Sequence, residues 1–246
     1  MFTNLQYQIL KRISPGEPAS GDGSVYDGKS KLRILLGDEF LSDLRNKVVI
    51  DFGCGEGEQA LEIAAAGARK VIGVDIREAV LGRARQRSRQ AGLDHVVEFA
   101  TAPAEQADLI VSLDSFEHFA DPADILRIMS RQLTKTGSVL VSFGPTWYHP
   151  LGGHLFSVFP WAHLIFSERA LIRWRQDLRS DGATKFEEVE GGLNQMTIRR
   201  FERIVRDSDF RLAALEAVPI RRLSLFHNSL TREFTTAIVR CRLSRS

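Results

Sequence analysis

The stretch Lys47-Val48-Val49-Ile50-Asp51-Phe52-Gly53-Cys54-Gly55-Glu56-Gly57-Glu58 decides the fold. Val48, Val49 and Ile50 form a β-branched apolar run, the pattern of a parallel strand covered on both faces. Glycines at 53, 55 and 57 then let the backbone turn tightly and approach a ligand closely. Residues 59–66 are good helix formers, and Gly67 is placed to stop that helix. The pattern predicts strand, glycine turn and helix. Free N–H groups at the helix start would favour an anionic group such as a carboxylate.

Working outward, strands and helices alternate. Residues 70–74 read as a second apolar strand ending in Asp75, and 76–90 as a helix with Gly92 just past it. Arg83, Arg85, Arg87 and Arg89 fall into two i,i+4 pairs, which reads as a solvated helix face. Residues 95–99 and 108–113 read as strands three and four. Asp121-Pro122 supplies an N-cap with proline at the first helical position. Ile125, Ile128, Met129 and Leu133 recur on one face of the helix that follows. Gly137 reads as the end of that helix, and 138–143 as the fifth strand. Thr197 can cap a helix carrying Ile198, Phe201, Ile204 and Val205. Residues 210–219 and 233–242 are the last strands, joined without a full helical crossover, so they should pair antiparallel.

Between these blocks, residues 145–196 are too long for an ordinary α/β connection and rich in aromatics and histidine. At the other end, residues 1–20 begin with a short helix carrying Leu5, Ile9 and Leu10, broken by Pro15, Gly16 and Pro18. A loop at 20–24 and Tyr26 follow, and the apolar positions from Leu32 to Leu41 have helical spacing. The expectation is one α/β domain over 1–246: a Rossmann-like, doubly wound, seven-stranded, mostly parallel sheet with an antiparallel last strand. To it are added an N-terminal lid segment, 1–45, and a helical, aromatic cap insertion, 145–196.

Composition narrows the function classes. With 246 residues the chain can bury one sizeable core. A formal net charge of +2 does not suggest a general nucleic-acid binder. Two cysteines, Cys54 and Cys241, give no disulfide framework or zinc spacing, and a reducing cytoplasm is expected. Residues 1–14 lack the apolar core of a signal peptide. The apolar-rich stretch 155–172 is broken by Pro160, His163, Glu168 and Arg169, so it is not a membrane span, although it could form an interfacial surface.

Two Rossmann-type ligands could use the glycine turn. The dinucleotide fingerprint G-x-G-x-x-G, counted from Gly53, would need glycine where Glu58 stands; counted from Gly55 it meets Ala60 and sits late after the strand. The observed pattern Asp51-x-Gly53-x-Gly55-x-Gly57, with Asp75 ending the next strand, resembles motif I of the class I S-adenosylmethionine (SAM) dependent methyltransferases. The resemblance covers roughly residues 25–145 and, more loosely, the last two strands. The run Phe116-Glu117-His118-Phe119-Ala120-Asp121-Pro122 is similar to the subgroup containing quinone and small-molecule methyltransferases.

The resemblance implies SAM as cofactor and S-adenosylhomocysteine as its product. It implies a site built from Asp51, Gly53, Cys54, Gly55 and Gly57, with Asp75 accepting hydrogen bonds from the ribose hydroxyls. Ile76 and Arg77 would form one wall of the adenine slot, and Leu113, at the end of the fourth strand, is a further expected cofactor contact. The acidic residue that the family usually places after the third strand is absent, so Thr101 or Ala102 should meet the adenine edge. Tyr26 is a candidate lid residue.

Methyl transfer from a sulfonium needs chiefly alignment, with a base when the acceptor is a hydroxyl. His118, just after the fourth strand, and His154, in the insertion, are the candidate bases; capping or packing roles compete for each. His149, His154 and His163 lie close together, but no His-x-x-x-His or carboxylate pairing accompanies them, so no metal site is expected. Ser112-Leu113-Asp114-Ser115 stands where nucleobase or glutamine methyltransferases carry an Asp-Pro-Pro-Tyr-like tetrad. The acceptor is expected to be a small or medium-sized molecule methylated on oxygen. An RNA or protein methyltransferase, and a SAM-binding assembly or regulatory protein without turnover, are the alternatives.

Overall fold

The computed structural model describes residues 2–14, 30–36, 40–179, 181–189 and 192–246, the side chains of Leu41 and Leu155 excepted. Tyr26, the 20–24 loop and the Pro15–Pro18 break lie outside the described residues.

The sheet is built on β1 (Val48–Phe52), buried along its whole length. It pairs in parallel with β2 (Lys70–Val74) on one side and β4 (Ala107–Leu113) on the other. β3 (Val97–Ala100) extends the sheet beyond β2, and β5 (Leu133–Phe143) beyond β4. β7 (Thr236–Arg245) pairs antiparallel with β5 and with β6 (Phe210–Pro219). The order is β3-β2-β1-β4-β5-β7-β6, a seven-stranded, mostly parallel sheet. Chain direction across the sheet reverses between β1 and β4, and ligands of doubly wound sheets bind beyond the carboxyl ends of strands at such a point.

Side chains alternate between two cores, because successive strand residues face opposite ways. On one face Ile50, Ile72 and Val141 pack with Leu126 and Met129 of α6 (Pro122–Gln132) and with Phe201 and Val205 of α9 (Ile198–Arg206). On the other, Val49, Val71 and Leu109 pack with Leu32 and Leu35 of α2 (Lys31–Leu36) and Phe40 of α3 (Phe40–Asp43). Ile63 of α4 (Glu58–Ala65) and Leu81 of α5 (Glu78–Gln90) complete that layer. A third cluster joins Tyr7 and Leu10 of α1 (Phe2–Ile13) to Leu171 and Trp174 of α8 (Glu168–Gln176), with Phe156 and Phe186. The insertion also holds α7 (Ala162–Ile165).

Several boundaries differ from the sequence reading. α5 begins at Glu78 rather than 76, because the Asp75 carboxylate accepts the Arg77 N–H at 3.0 Å and holds the chain in a turn. α4 runs 58–65, β3 starts at Val97 and β4 at Ala107. α6 stops at Gln132, and Gly137 lies inside β5, not at a helix end. A Cβ there would stand 2.8 Å from Leu133 Cδ2 and 3.1 Å from Ala107 O, beside the register shift between Ala107 and Leu109. β7 starts at Thr236, after α10 (Arg232–Thr235). Glu233 is drawn out of the strand because its buried carboxylate accepts the Ile198 and Arg199 N–H groups at 3.1 and 2.9 Å, at the start of α9.

Candidate active site

Gly53, Gly55 and Gly57 adopt φ of 87°, 51° and 82°, the left-handed region that only glycine enters freely. Gly53 and Cys54 donate their N–H groups to Val74 O at 2.8 and 3.0 Å, tying the turn to the end of β2. A Cβ at Gly53 would stand 2.7 Å from Ser115 Oγ, and one at Gly57 would stand 2.6 Å from the Phe99 ring. The turn is therefore pressed against both the β3 end and the loop after β4. Cys54 is buried with its thiol pushed up by burial, which keeps it protonated and inert.

Asp75 accepts the Gly55 N–H at 3.1 Å. It also takes the Arg77 guanidinium in a bidentate grip, with both distances 3.0 Å. Burial would raise its pKa, but the Arg77 and backbone bonds outweigh that and hold the carboxyl below its usual range. The sequence reading gave Arg77 to the adenine slot; the structure instead has it gripping the carboxylate meant for the ribose. Ile76, 89 % exposed, projects from the β2 end. Thr101 and Ala102 form an exposed turn after β3, and Leu113 is buried at the end of β4.

Asp51 is buried at the β1 end, and burial raises its pKa to about 7. Among the described residues its Oδ2 has no hydrogen-bond partner. A buried carboxylate oxygen without a donor suits an ammonium group, such as the amino group of a bound amino-acid moiety. Lys31 of α2 reaches over the same end of the sheet and pairs with Asp114 at 2.8 Å. Neither Lys31 nor Asp114 stood out in the sequence.

Beyond β4 the chain brings His118 and His154 together, with ring centroids 5.3 Å apart and edge-to-face. His118 Nδ1 lies 2.8 Å from Gly192 O, and His154 Nδ1 lies 3.0 Å from Gly152 O. A carbonyl oxygen only accepts, so each Nδ1 carries a proton, and in the neutral ring the lone pair is then on Nε2. Burial pushes His154 down to about 4, so it is neutral at physiological pH. Its backbone φ is 51°, an uncommon conformation for a non-glycine residue.

Glu117 lies close to the pair. It is buried, its Oε1 accepts the Gly144 N–H at 3.2 Å, and among the described residues its Oε2 has no partner. Burial, reinforced by Asp114, raises its pKa to about 8. Glu117, His118 and His154 each offer one donor atom within 4.8 Å of one another, a grouping that could hold a metal ion. This corrects the reading that no carboxylate accompanies the histidines: the partner comes from the β4 loop, out of sight of any spacing within the insertion. Asn194 pins that loop, donating to Phe116 O and Phe119 O at 2.7 and 2.8 Å. His163 and His149 serve the fold instead. His163 is buried against Trp147, with Nε2 2.7 Å from its carbonyl, and His149 Nδ1 accepts the Leu151 N–H at 2.9 Å.

Residues 43–146 match the family described as a methyltransferase domain. The ubiquinone biosynthesis O-methyltransferase of Stutzerimonas stutzeri is 37 % identical over 117 residues, 45 % of this chain and 50 % of that protein. That of Acinetobacter baylyi is 35 % identical over 118 residues, 45 % and 49 % of the two chains. The chain thus spans about half the length of the curated relatives it matches. Among solved structures, an S-adenosylmethionine dependent methyltransferase from Mesorhizobium loti superposes with a TM-score of 0.54 at 20 % identity, covering 84 % of this chain and 96 % of that one. At those identities the likeness is one of fold. The matched segment, residues 43–146, contains the glycine turn, Asp75 and the β4 loop, and over it the chain is similar to the class I S-adenosylmethionine-dependent methyltransferases.

Proposed function

We propose that the protein transfers a methyl group from SAM to a hydroxyl of a small or medium-sized molecule. The observation that carries this reading is the His118–His154 pair, whose Nδ1 protons are fixed by carbonyls so that both Nε2 lone pairs are free to accept a proton. SAM supplies an activated methyl on a sulfonium and leaves as S-adenosylhomocysteine. Asp51 and the glycine turn take the amino-acid end, and Asp75 turns from Arg77 toward the ribose. His118 or His154 then removes the acceptor's hydroxyl proton as the oxygen gains the methyl, with His118 preferred because its loop abuts Gly53 through Ser115. The insertion, 145–196, brings His154 to this place and acts as a cap over the acceptor. The O-methyltransferases matched above support oxygen as the target.

The test is S-adenosylhomocysteine release from SAM with a panel of phenolic and catecholic acceptors. His118→Ala and His154→Ala are then compared in single turnover, with SAM affinity measured by calorimetry. One of the two should lose about 10²–10⁴ in rate with SAM affinity intact. If both keep the parental rate, neither of the two histidines is the base. Loss of turnover under a chelator, restored by a divalent cation, would give Glu117, His118 and His154 to a metal instead.

A further inference from the structure

Large apolar side chains stand exposed on three segments. On α1, Phe2, Leu5, Ile9 and Ile13 are 70, 59, 42 and 50 % exposed. They recur at the three-to-four-residue spacing of a single helix face. The neighbouring face, Gln6, Tyr7 and Leu10, is buried, with Tyr7 and Leu10 packed on the insertion. Leu164 and Ile165 are exposed on the insertion itself. In the β6–β7 connection Leu225, Phe226 and Leu230 are 94, 66 and 81 % exposed. Scattered apolar residues are ordinary on a surface, but a connected set marks a surface that something covers.

Contacts join the three segments in one run. Gln6 Oε1 accepts the Ser167 N–H at 3.1 Å and its hydroxyl at 2.6 Å, which seats α1 beside Ile165. Trp161 Nε1 donates to Tyr148 O at 2.9 Å, and the Tyr148 ring lies 5.1 Å from Phe234, itself exposed in the β6–β7 connection.

Charge identifies the occupant. Residues 145–166 contain no Asp, Glu, Lys or Arg, and residues 2–13 and 217–232 contain basic residues but no acidic one. Lys11 pairs with Asp177 at 3.3 Å and Arg232 with Glu202 at 2.8 Å, while Arg12, Arg221 and Arg222 are exposed beside the apolar groups. Asp177 and Glu202 are already engaged by Lys11 and Arg232, so a second copy docked about a two-fold axis would bring Arg12, Arg221 and Arg222 to a face with no acid left over for them. A bilayer with anionic headgroups answers both features: apolar side chains enter the acyl boundary and guanidinium groups meet phosphates. Among the described residues no helix is long and apolar enough to cross a membrane, so docking would be peripheral. We propose that this rim, formed by α1, the insertion and the β6–β7 connection, docks on an anionic lipid surface.

The test is flotation of the full chain with vesicles of phosphatidylcholine alone or with one-third phosphatidylglycerol. Binding should require the anionic lipid and weaken with salt. Arg221→Ser and Arg222→Ser should each cost about fivefold in vesicle affinity. Leu225→Ser with Phe226→Ser, and Leu5→Ser with Ile9→Ser, should each cost at least about tenfold at unchanged melting temperature, since these side chains are exposed in the free protein. No flotation with anionic vesicles, or equal flotation of parent and variants, would overturn the proposal. So would a dimer in sedimentation equilibrium that the same substitutions dissolve, which would give the face to a second copy.

Discussion

Glu117 and His154 are both neutralised by burial, from opposite directions. Glu117 rises from an ordinary 4.5 to about 8, so its contribution to stability is fully present below pH 4.5 and is lost as pH rises through 8. Glu117→Gln keeps an acceptor for the Gly144 N–H and removes the titration. The variant should be more stable than the parent at pH 8 by on the order of 3 kcal/mol, with the difference vanishing near pH 4, as read by urea unfolding. His154 falls from 6.5 to about 4, so its contribution is present above pH 6.5 and lost as pH falls through 4. If His154 is the base, the acid limb of the rate profile should fall near pH 4; a limb near 6.5 would assign the proton elsewhere. For the cofactor, Asp75→Ala should weaken SAM binding by ~1–3 kcal/mol in calorimetry, the range for hydrogen bonds to a charged group. The left-handed glycines were legible because their backbone requirement is local to one turn. Glu117 was not, because its significance comes from burial beneath Asn194 and the 192–196 chain, far away in sequence.

Elements were legible where a local signal fixed them. Asp121 accepts the Ala123 and Asp124 N–H groups at 3.0 Å with Pro122 following, and Thr197 accepts the Arg200 N–H at 3.0 Å, both as their residue types foretold. Asp121→Ala should therefore cost about 1 kcal/mol in equilibrium unfolding, because two helix-start N–H groups lose their acceptor. Boundaries failed where tertiary contacts overrode local preference. Gly137 looks like a helix stop, yet it serves the close approach of β5 to the β4 irregularity. Gly137→Ala should cost about 1–3 kcal/mol, since the new methyl meets Leu133 and the Ala107 carbonyl. A true helix-end glycine with φ above zero would fail by backbone strain instead, and the two are distinguished because only the packing clash is relieved by Leu133→Ala.

At the scale of the whole molecule the chain has two kinds of core. The two faces of the sheet follow from strand alternation, which is why the doubly wound architecture was readable from pattern alone. The third cluster was not, because it joins α1 to α8 across a separation of 160 residues or more. Tyr7 Oη donates to Asp177 at 2.7 Å, Trp174 Nε1 donates to Ser14 O at 2.9 Å, and Leu10 is fully buried in the same cluster. Nothing in a short amphipathic segment announces which distant helix will take its buried face. Among the described residues the cluster shares no buried residue with either sheet core, so it should open without them. Leu10→Ala leaves a cavity worth about 2–5 kcal/mol, and that loss should appear locally. Amide hydrogen exchange should quicken by orders of magnitude in α1 and α8, while β1 and β4 keep parental protection. Uniform loss of protection across the sheet would show instead that the insertion and the sheet unfold as one unit, and that α1 helps hold the His154 side of the site in place.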